Sequence, residues 1–345
     1  MTAVIGSGAA GLAASRALIA AGHEVTLYEA GPAPGGHVLT VDADGHAIDL
    51  GFIVCNRARY PSMFRMLDEL GVATRPTAMS FSVALPGAGG EWASHAALAG
   101  RWLDRAHWRF LAEVVGFVRR ARRELDAPSA IWRASSLDDY LARTRTPQDV
   151  RDGFVIPLAA ALWSLAPDRC GAFPAETYLR FLDQHGMLRP IRPFAWRTIV
   201  GGSRRYVDAL LAELRGSGRF RLELATPVTA IARDARGVTV VARSREHRHD
   251  RIVVATHADT ALGLLDQPSD AERQVLGAFR YSENRTVLHT DRRFLPRSPA
   301  AHAAWNYVGD PDGSRVAVTY SMTRLQGLPD APYLVTLNPR HRPEG

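Results

Sequence analysis

The chain has no lysine: all 42 of its basic Lys-or-Arg positions are arginine. That absence removes Schiff-base chemistry, which needs an amine side chain. The formal charge of +7 is therefore carried by guanidinium groups alone. Such forks suit phosphates and anionic headgroups, although biased composition would give the same count. Cysteine is nearly as scarce. Only Cys55 and Cys170 occur, which excludes a disulfide framework and a cysteine metal cluster, so no metal is expected. Two isolated thiols fit a reducing compartment. No apolar run reaches the ~18 residues of a membrane span. The N-terminus enters a short apolar stretch with no basic region or cleavage site, so no signal peptide is expected. These absences predict a cytoplasmic protein with no transmembrane segment and no nucleic-acid partner, a peripheral contact at the inner face of an anionic membrane remaining open.

What is present is ordinary globular composition. The 345 residues are 46% hydrophobic and 22% charged, enough for about two domains. Residues 2–6 read as a buried strand, 9–21 as an alanine-rich helix and 24–29 as a second strand. That β-α-β unit implies a parallel sheet. Helical patterns follow at 61–70, 104–125, 136–143, 157–163, 174–185 and 201–214. Strands are expected at 80–85, at 228–233, 237–243 and 251–256 with hairpin-like turns between them, and again near 284–290, 303–308, 315–320 and 333–339. The layout predicts an α/β fold with a discontinuous nucleotide-binding domain, 1–75 and 197–265. A substrate domain of mixed helix and strand takes 76–196 and 266–345.

Gly6, Gly8 and Gly11 form G-x-G-x-x-G between the first strand and the first helix. Gly6 permits the turn, Gly8 admits a pyrophosphate to the backbone, and Gly11 lets helix pack on strand. Ala9 and Ala10 place the helix N-terminus against that pyrophosphate. Glu29, 18 residues beyond Gly11, is placed to accept from a ribose diol. A second glycine site, Gly35 and Gly36 followed by His37, comes just after this acid. Flavoproteins of the glutathione-reductase and amine-oxidase type carry such a doublet beside the ribose and pyrophosphate of FAD, and simple NAD dehydrogenases lack it. FAD is therefore the expected cofactor. "GAGGEW" (87–92) has the wrong spacing for a second nucleotide motif.

With "AVIGSGAAGLAAS" (3–15), "GGHVLTV" (35–41), "IDLGFIVCN" (48–56), "WRTIVGGSRRYV" (196–207) and "VTYSMTRLQGL" (318–328) in order along it, the chain resembles the amine-oxidase-like FAD oxidoreductases. Within them it is similar to a bacterial group of NAD/FAD-binding proteins often encoded beside cyclopropane-fatty-acid synthases. The resemblance implies a Rossmann-type FAD-binding domain with an inserted α+β substrate domain. It places Val228 against the adenine, Ala255 and Thr256 along the ADP half, Gly201 and Gly202 near the cofactor, and Asp49 and Gly51 where the chain passes the flavin. Three departures stand out. Ala33 occupies a position where relatives carry arginine, which implies weaker pyrophosphate contacts. No lysine is available to hold a water near the flavin, which counts against an amine oxidase proper. Relatives continue past the position of Gly345 into a segment that closes over the flavin, which the resemblance implies is missing.

The expected function is FAD-dependent oxidation of an apolar substrate, with a fatty acyl chain implied by the family's company. Two alternatives stay open: an oxidase of small amines, and a non-catalytic fragment that needs a partner. For proton transfer the candidate is His185 in "DQHGML", with Asp183 nearby; a dipole-stabilised helix-terminal histidine is the plainer reading. Trp163, Phe181, Trp196, Trp305, Tyr307 and Tyr320 read as pocket or core. The 104–125 helix carries Trp108 together with Arg119, Arg120, Arg122 and Arg123, a mixture that suits a membrane surface or a solvated arginine end.

Overall fold

A computed structural model describes residues 1–85, 90–96, 103–126, 134–163, 165–188, 195–309, 316–329 and 332–344. The chain divides into two compact units. The first comprises Met1–Ile53, Met63–Thr74 and Ile199–Glu283; the second comprises Val54–Ser62, Arg75–Thr198 and Asn284–Gly345.

The first unit starts with β1 (Thr2–Ile5), α1 (Ala9–Ala20) and β2 (Val25–Tyr28). Both strands are buried along their whole length, as apolar strands at the centre of a parallel sheet must be. The four-stranded parallel sheet has the order Arg251–Val254, β1, β2, Phe220–Glu223. On one face lie α1 and the helix Arg204–Gly216. That helix buries Tyr206, Val207, Leu210, Leu211 and Leu214 as one apolar stripe against Leu12, Val25 and Leu27. On the other face Ala3, Ile5 and Tyr28 pack against Ile231, Val238 and Val240. Those last residues belong to an antiparallel sheet of Val228–Asp234, Gly237–Ala242 and Arg245–His249.

Residues 251–254 run beside β1, as expected, in the sheet that begins with Thr2–Ile5; the third strand of the antiparallel sheet is "REHRH" at 245–249, where the sequence suggests only a hairpin-like turn. The polar strand escaped notice because apolar alternation was the signal sought, and an edge strand with one wet face can be built from charged residues.

The second unit holds a six-stranded sheet in the order Thr286–His289, Leu334–Leu337, Val316–Ser321, Trp305–Gly309, Phe81–Leu85, Gly90–Ala93. Its pairs are antiparallel except Trp305–Gly309 with Phe81–Leu85. Around it lie the helices Arg105–Asp126, Leu137–Arg143, Ile156–Trp163 and Ala175–Gln184. Tyr307 is buried in this unit's core with Phe117, Tyr140 and Tyr178, so it packs and does not line a pocket. Trp305 stands edge-on to Tyr320 at 5.2 Å.

A hydrogen-bonded thread crosses this sheet below the surface. The Ser82 hydroxyl donates to Asn306 Oδ1 (2.9 Å), and Asn306 Nδ2 donates to the Thr319 carbonyl (3.2 Å). The Thr319 and Thr336 hydroxyls meet at 2.8 Å, and Thr336 Oγ1 lies 2.7 Å from His289 Nε2. The Asp291 N–H donates to His289 Nδ1 (3.1 Å), which fixes the ring proton on Nε2 and the ring as neutral. Burial pushes the His289 pKa down to about 4.

The helix Arg105–Asp126 buries His107, Phe117 and Ala121. Its other face exposes Trp108 and Val115 with Arg105, Arg109, Arg119, Arg122 and Arg123, just after an exposed Leu103. Among the described residues no helix is long and apolar enough to cross a membrane.

Candidate functional site

At the junction of β1 and α1 the three motif glycines face different surroundings. A Cβ on Gly11 would lie 1.8 Å from the Gly6 carbonyl oxygen. A Cβ on Gly6 would lie 2.8 Å from the Ala255 oxygen, and Gly6 has φ +96°. Both positions are glycine because the fold leaves no alternative. Gly8 differs. Its φ is −64° and ψ 179°, open to any residue, and among the described residues nothing lies within 4 Å of a Cβ there. It caps α1 without a side-chain hydrogen bond, and Ala9 and Ala10 behind it are exposed. The first-turn N–H groups of α1 therefore have no side-chain cap and face an open approach.

The second glycine pair closes over this approach. A Cβ on Gly36 would come 3.0 Å from Gly8 Cα, and Gly35 N–H donates to the Ser7 carbonyl (3.1 Å). A Cβ on Gly51 would lie 1.9 Å from the His37 oxygen, so Gly51 lets the Gly-Gly-His loop sit down. The His37 ring stacks on His257 at 5.5 Å. Ala255 donates its N–H to the Ile5 carbonyl (2.8 Å), which sets Ala255 and Thr256 beside the Gly6 turn. Val228 is half-buried at the start of its strand.

Glu29 ends β2. Its carboxylate accepts from Ser7 N–H (2.9 Å), from the Ser7 hydroxyl and from Gly31 N–H (2.7 Å). Burial alone would raise its pKa, but these bonds outweigh burial and hold it below the ordinary value. It is a fixed, ionised acceptor at the rim of the glycine turn. Ser7 was not singled out from the sequence; the available signal was a small donor between the first two motif glycines.

Asp49 is buried, with no exposed surface. Its carboxylate accepts from Thr40 Oγ1 (2.6 Å), Ser203 N–H (2.8 Å) and Ser203 Oγ (2.8 Å). Burial raises its pKa despite these bonds. Asp49 thus ties the hairpin Thr40–Ala43/His46–Asp49 to the start of the helix Arg204–Gly216. Gly202 belongs to the same joint. It is buried, and a Cβ on it would lie 2.7 Å from Thr40 Cγ2, while Gly201 remains exposed.

In the second unit His185 caps the helix Ala175–Gln184. Its ring is stacked on Phe181 at 3.8 Å and lies parallel to Trp196 at 6.1 Å, with Trp163 on the far side of Phe181 at 4.9 Å. Nδ1 lies 2.9 Å from the Phe181 carbonyl, which orients the ring. Burial lowers the His185 pKa, which keeps the ring neutral with Nε2 as its basic nitrogen. Cys55 is buried, and burial raises its thiol to about 11, so it packs and carries no thiolate. Among the described residues no group of His, Cys, Asp and Glu is arranged to hold a metal.

The β-α-β unit with its uncapped helix, the doublet loop and the strand-end acid define a dinucleotide-binding protein. Residues 9–331 match the family model for the flavin containing amine oxidoreductases, and the chain belongs to that family. Its cofactor is FAD, and its homologues are oxidoreductases. AofH of Mycobacterium tuberculosis, assigned as a flavin-containing monoamine oxidase, is 26% identical over 286 residues, covering 79% of this chain and 60% of that protein. The chain thus spans about three fifths of the length of that relative. The zeta-carotene desaturase of Synechocystis sp. is 41% identical over 70 residues, 20% of this chain and 14% of that one. Among solved structures, a CLA-producing fatty acid isomerase from P. acnes superposes with a TM-score of 0.71 at 20% identity, covering all of this chain and 78% of that one. Cyclohexylamine oxidase from Brevibacterium oxydans gives 0.70 at 19%, covering 97% and 74%. At these identities the two structures establish a shared fold.

The residues fit the cofactor. The open space over Gly8, framed by Gly6, Gly11 and Gly36, is a backbone cradle that no side chain among the described residues fills.

Proposed function

We propose that this chain is an FAD-dependent oxidoreductase acting on an apolar substrate, with a fatty acyl chain as the class to test first. The first unit is the FAD-binding domain and the second the substrate domain. Gly6–Gly11 with Ala9 and Ala10 hold the pyrophosphate, Glu29 takes the ribose hydroxyls, and Gly35, Gly36 and His37 close beside them. Val228, Ala255 and Thr256 line the adenosine half, Gly51 and Gly201 border it, and Asp49 with Gly202 fixes the supporting joint. The observation that carries this reading is the open backbone approach over Gly8, which no described residue crowds. When bound, FAD supplies two-electron oxidation. His185 offers a neutral, oriented imidazole to take the substrate proton. The purified chain should show flavin absorption bands that bleach with dithionite; a colourless protein that gains no bands from added FAD would refute the reading.

The choice of an apolar substrate rests on the aromatic wall of Trp163, Phe181 and Trp196 around His185. It is consistent with the desaturase and isomerase among the relatives. Oxidation of small amines is the competing assignment, and the chain's lack of lysine weighs against it. With a turned-over fatty acid or carotenoid, kcat/KM should be level above pH ~6.5, the ordinary histidine pKa, and fall only below it, because the His185 pKa is lowered. His185→Gln should cut kcat about a hundredfold with KM little changed and abolish that acid limb. An unaltered pH profile in the variant would remove His185 from the reaction.

The outer face of Arg105–Asp126 supports a peripheral station on an anionic membrane. The chain should co-sediment with phosphatidylglycerol vesicles at low salt and not with phosphatidylcholine. Arg119→Glu together with Arg122→Glu should release it, since each basic residue near the surface contributes ~1 kcal/mol.

A further inference from the structure

The first unit contains a second recess, separate from the glycine cradle. It is a half-open cavity of about 670 Å³ between the parallel sheet and the antiparallel one. No residue of Gly6–Gly11 or Gly35–His37 lines it. One wall is formed by two neighbouring parallel strands, where buried Thr26 pairs with exposed Arg221 and buried Tyr28 with half-buried Glu223. The other wall is the strand Arg245–His249. Its alternate residues Arg245, His247 and His249 share one face, and the Tyr28 ring lies 5.8 Å from both histidine rings. The floor is pinned where the Tyr28 hydroxyl meets His249 Nε2 at 3.0 Å.

Four guanidinium groups and two carboxylates line this cavity. Two of the four are committed: Arg248 pairs with Asp234, and Arg243 donates to the Leu224 carbonyl. Arg221 and Arg245 make no hydrogen bond or ion pair among the described residues, and they come from opposite walls. A gap between two sheets normally closes on apolar side chains. This one stays open, walled by rings and paired cations, and its volume is that of a small-molecule site. Guanidinium forks match phosphate oxygens two at a time, and the half-buried His247 ring, backed by the buried Tyr28, suits a ring. We propose that this cavity binds a phosphate monoester carried on a ring-bearing small molecule, with Arg221 and Arg245 clasping the phosphate and His247 contacting the ring. Glu223 accepts from a sugar hydroxyl. The site is distinct from the FAD cradle and does not depend on it.

The test is calorimetric titration of the full chain, saturated with FAD so that the cradle is filled, using AMP, inorganic phosphate and adenosine as probes. AMP should bind, phosphate more weakly and adenosine not measurably. Arg221→Glu and Arg245→Glu should each weaken AMP at least tenfold, and Arg221→Lys several-fold, because the charge remains and the fork is lost. Both positions are exposed, so unchanged circular dichroism and unchanged FAD content would show that fold and cradle survive. No binding of AMP, equal binding of adenosine, or AMP affinity indifferent to both charge reversals overturns the proposal. So does an AMP signal that vanishes when FAD is added, which would place AMP in the cradle. A chain that takes no FAD yet binds AMP through these arginines would leave this site standing and sink the cofactor assignment instead.

Discussion

Gly8→Asp should make the fold more stable and abolish FAD binding. The two effects have opposite signs because the residue stands on two footings. For the fold, Gly8 is the N-cap of α1, with extended backbone that any residue accepts and nothing among the described residues within 4 Å of a new Cβ. Aspartate at an N-cap accepts from the first-turn N–H groups and complements the helix dipole, a gain of a few tenths to ~1 kcal/mol over glycine. For the cofactor, the same carboxylate fills the cradle, occupies the N–H groups that the pyrophosphate needs and sets like charges together. Affinity should fall about a thousandfold, roughly 4 kcal/mol. Flavin fluorescence titration reads the second effect and a thermal melt the first. A variant that still binds FAD as the parent does would show that the pyrophosphate lies elsewhere. Gly11→Ala provides the contrast, since its Cβ would meet the Gly6 carbonyl at 1.8 Å and the fold itself must give way.

Acidification from pH ~6.5 to about 4 should cost the second unit about 3 kcal/mol through His289 alone. The folded ring is held neutral, with its pKa pushed down to about 4 by burial. In the unfolded chain it takes a proton near the ordinary pKa of ~6.5. The folded-state pKa is depressed, so the unfolded state binds more protons throughout this window and stability falls as pH falls. Above the window both states are neutral and the contribution is complete; below it both are charged and no more is lost. The physical reason lies in the thread. Nδ1 already accepts from Asp291 N–H and Nε2 already serves Thr336, so a second ring proton has no acceptor. Urea melts of the parent and of His289→Gln at pH 7 and pH 4.5 separate this group from the other buried histidines. The parent should lose more, by most of that figure, and parallel losses would exclude His289 as the acid-labile point.

The cofactor cradle was legible in the sequence because it is local. Two glycine motifs and Glu29 lie within the first 36 residues, and Gly6, Gly11 and Gly36 answer to contacts inside that span or at the Ala255 strand end. β1 and β2 were legible for a related reason: "AVI" is continuously apolar and "VTLY" nearly so, as suits doubly covered strands. What could not be read was any joint made across the chain. Asp49 sits in a motif that resemblance assigned to the flavin, yet its partner Ser203 is 154 positions away and removes it from solvent. His185 was placed at a helix end, but the Trp196 ring that faces it lies beyond that helix. The strand "REHRH" escaped because its residues carry no period-two apolar signal, and "FRLE" because its alternation runs for only four residues; in both a neighbour supplies the ladder.

The register of β1 has a consequence for how the molecule is made. β1 pairs on one side with β2, Thr2 opposite Val25, and on the other with a strand in which Arg251 stands opposite Thr2. The N-terminal β-α-β unit therefore leaves the ribosome with one flank of its central strand unmatched. At ~5–20 residues per second, the roughly 220 residues between Tyr28 and Arg251 take roughly 10–45 s to synthesise. Throughout that interval an apolar, hydrogen-bond-hungry edge is on offer to any other nascent chain. Yield during expression should therefore depend on chaperone supply and on slow, cool induction more than on the stability of the finished molecule.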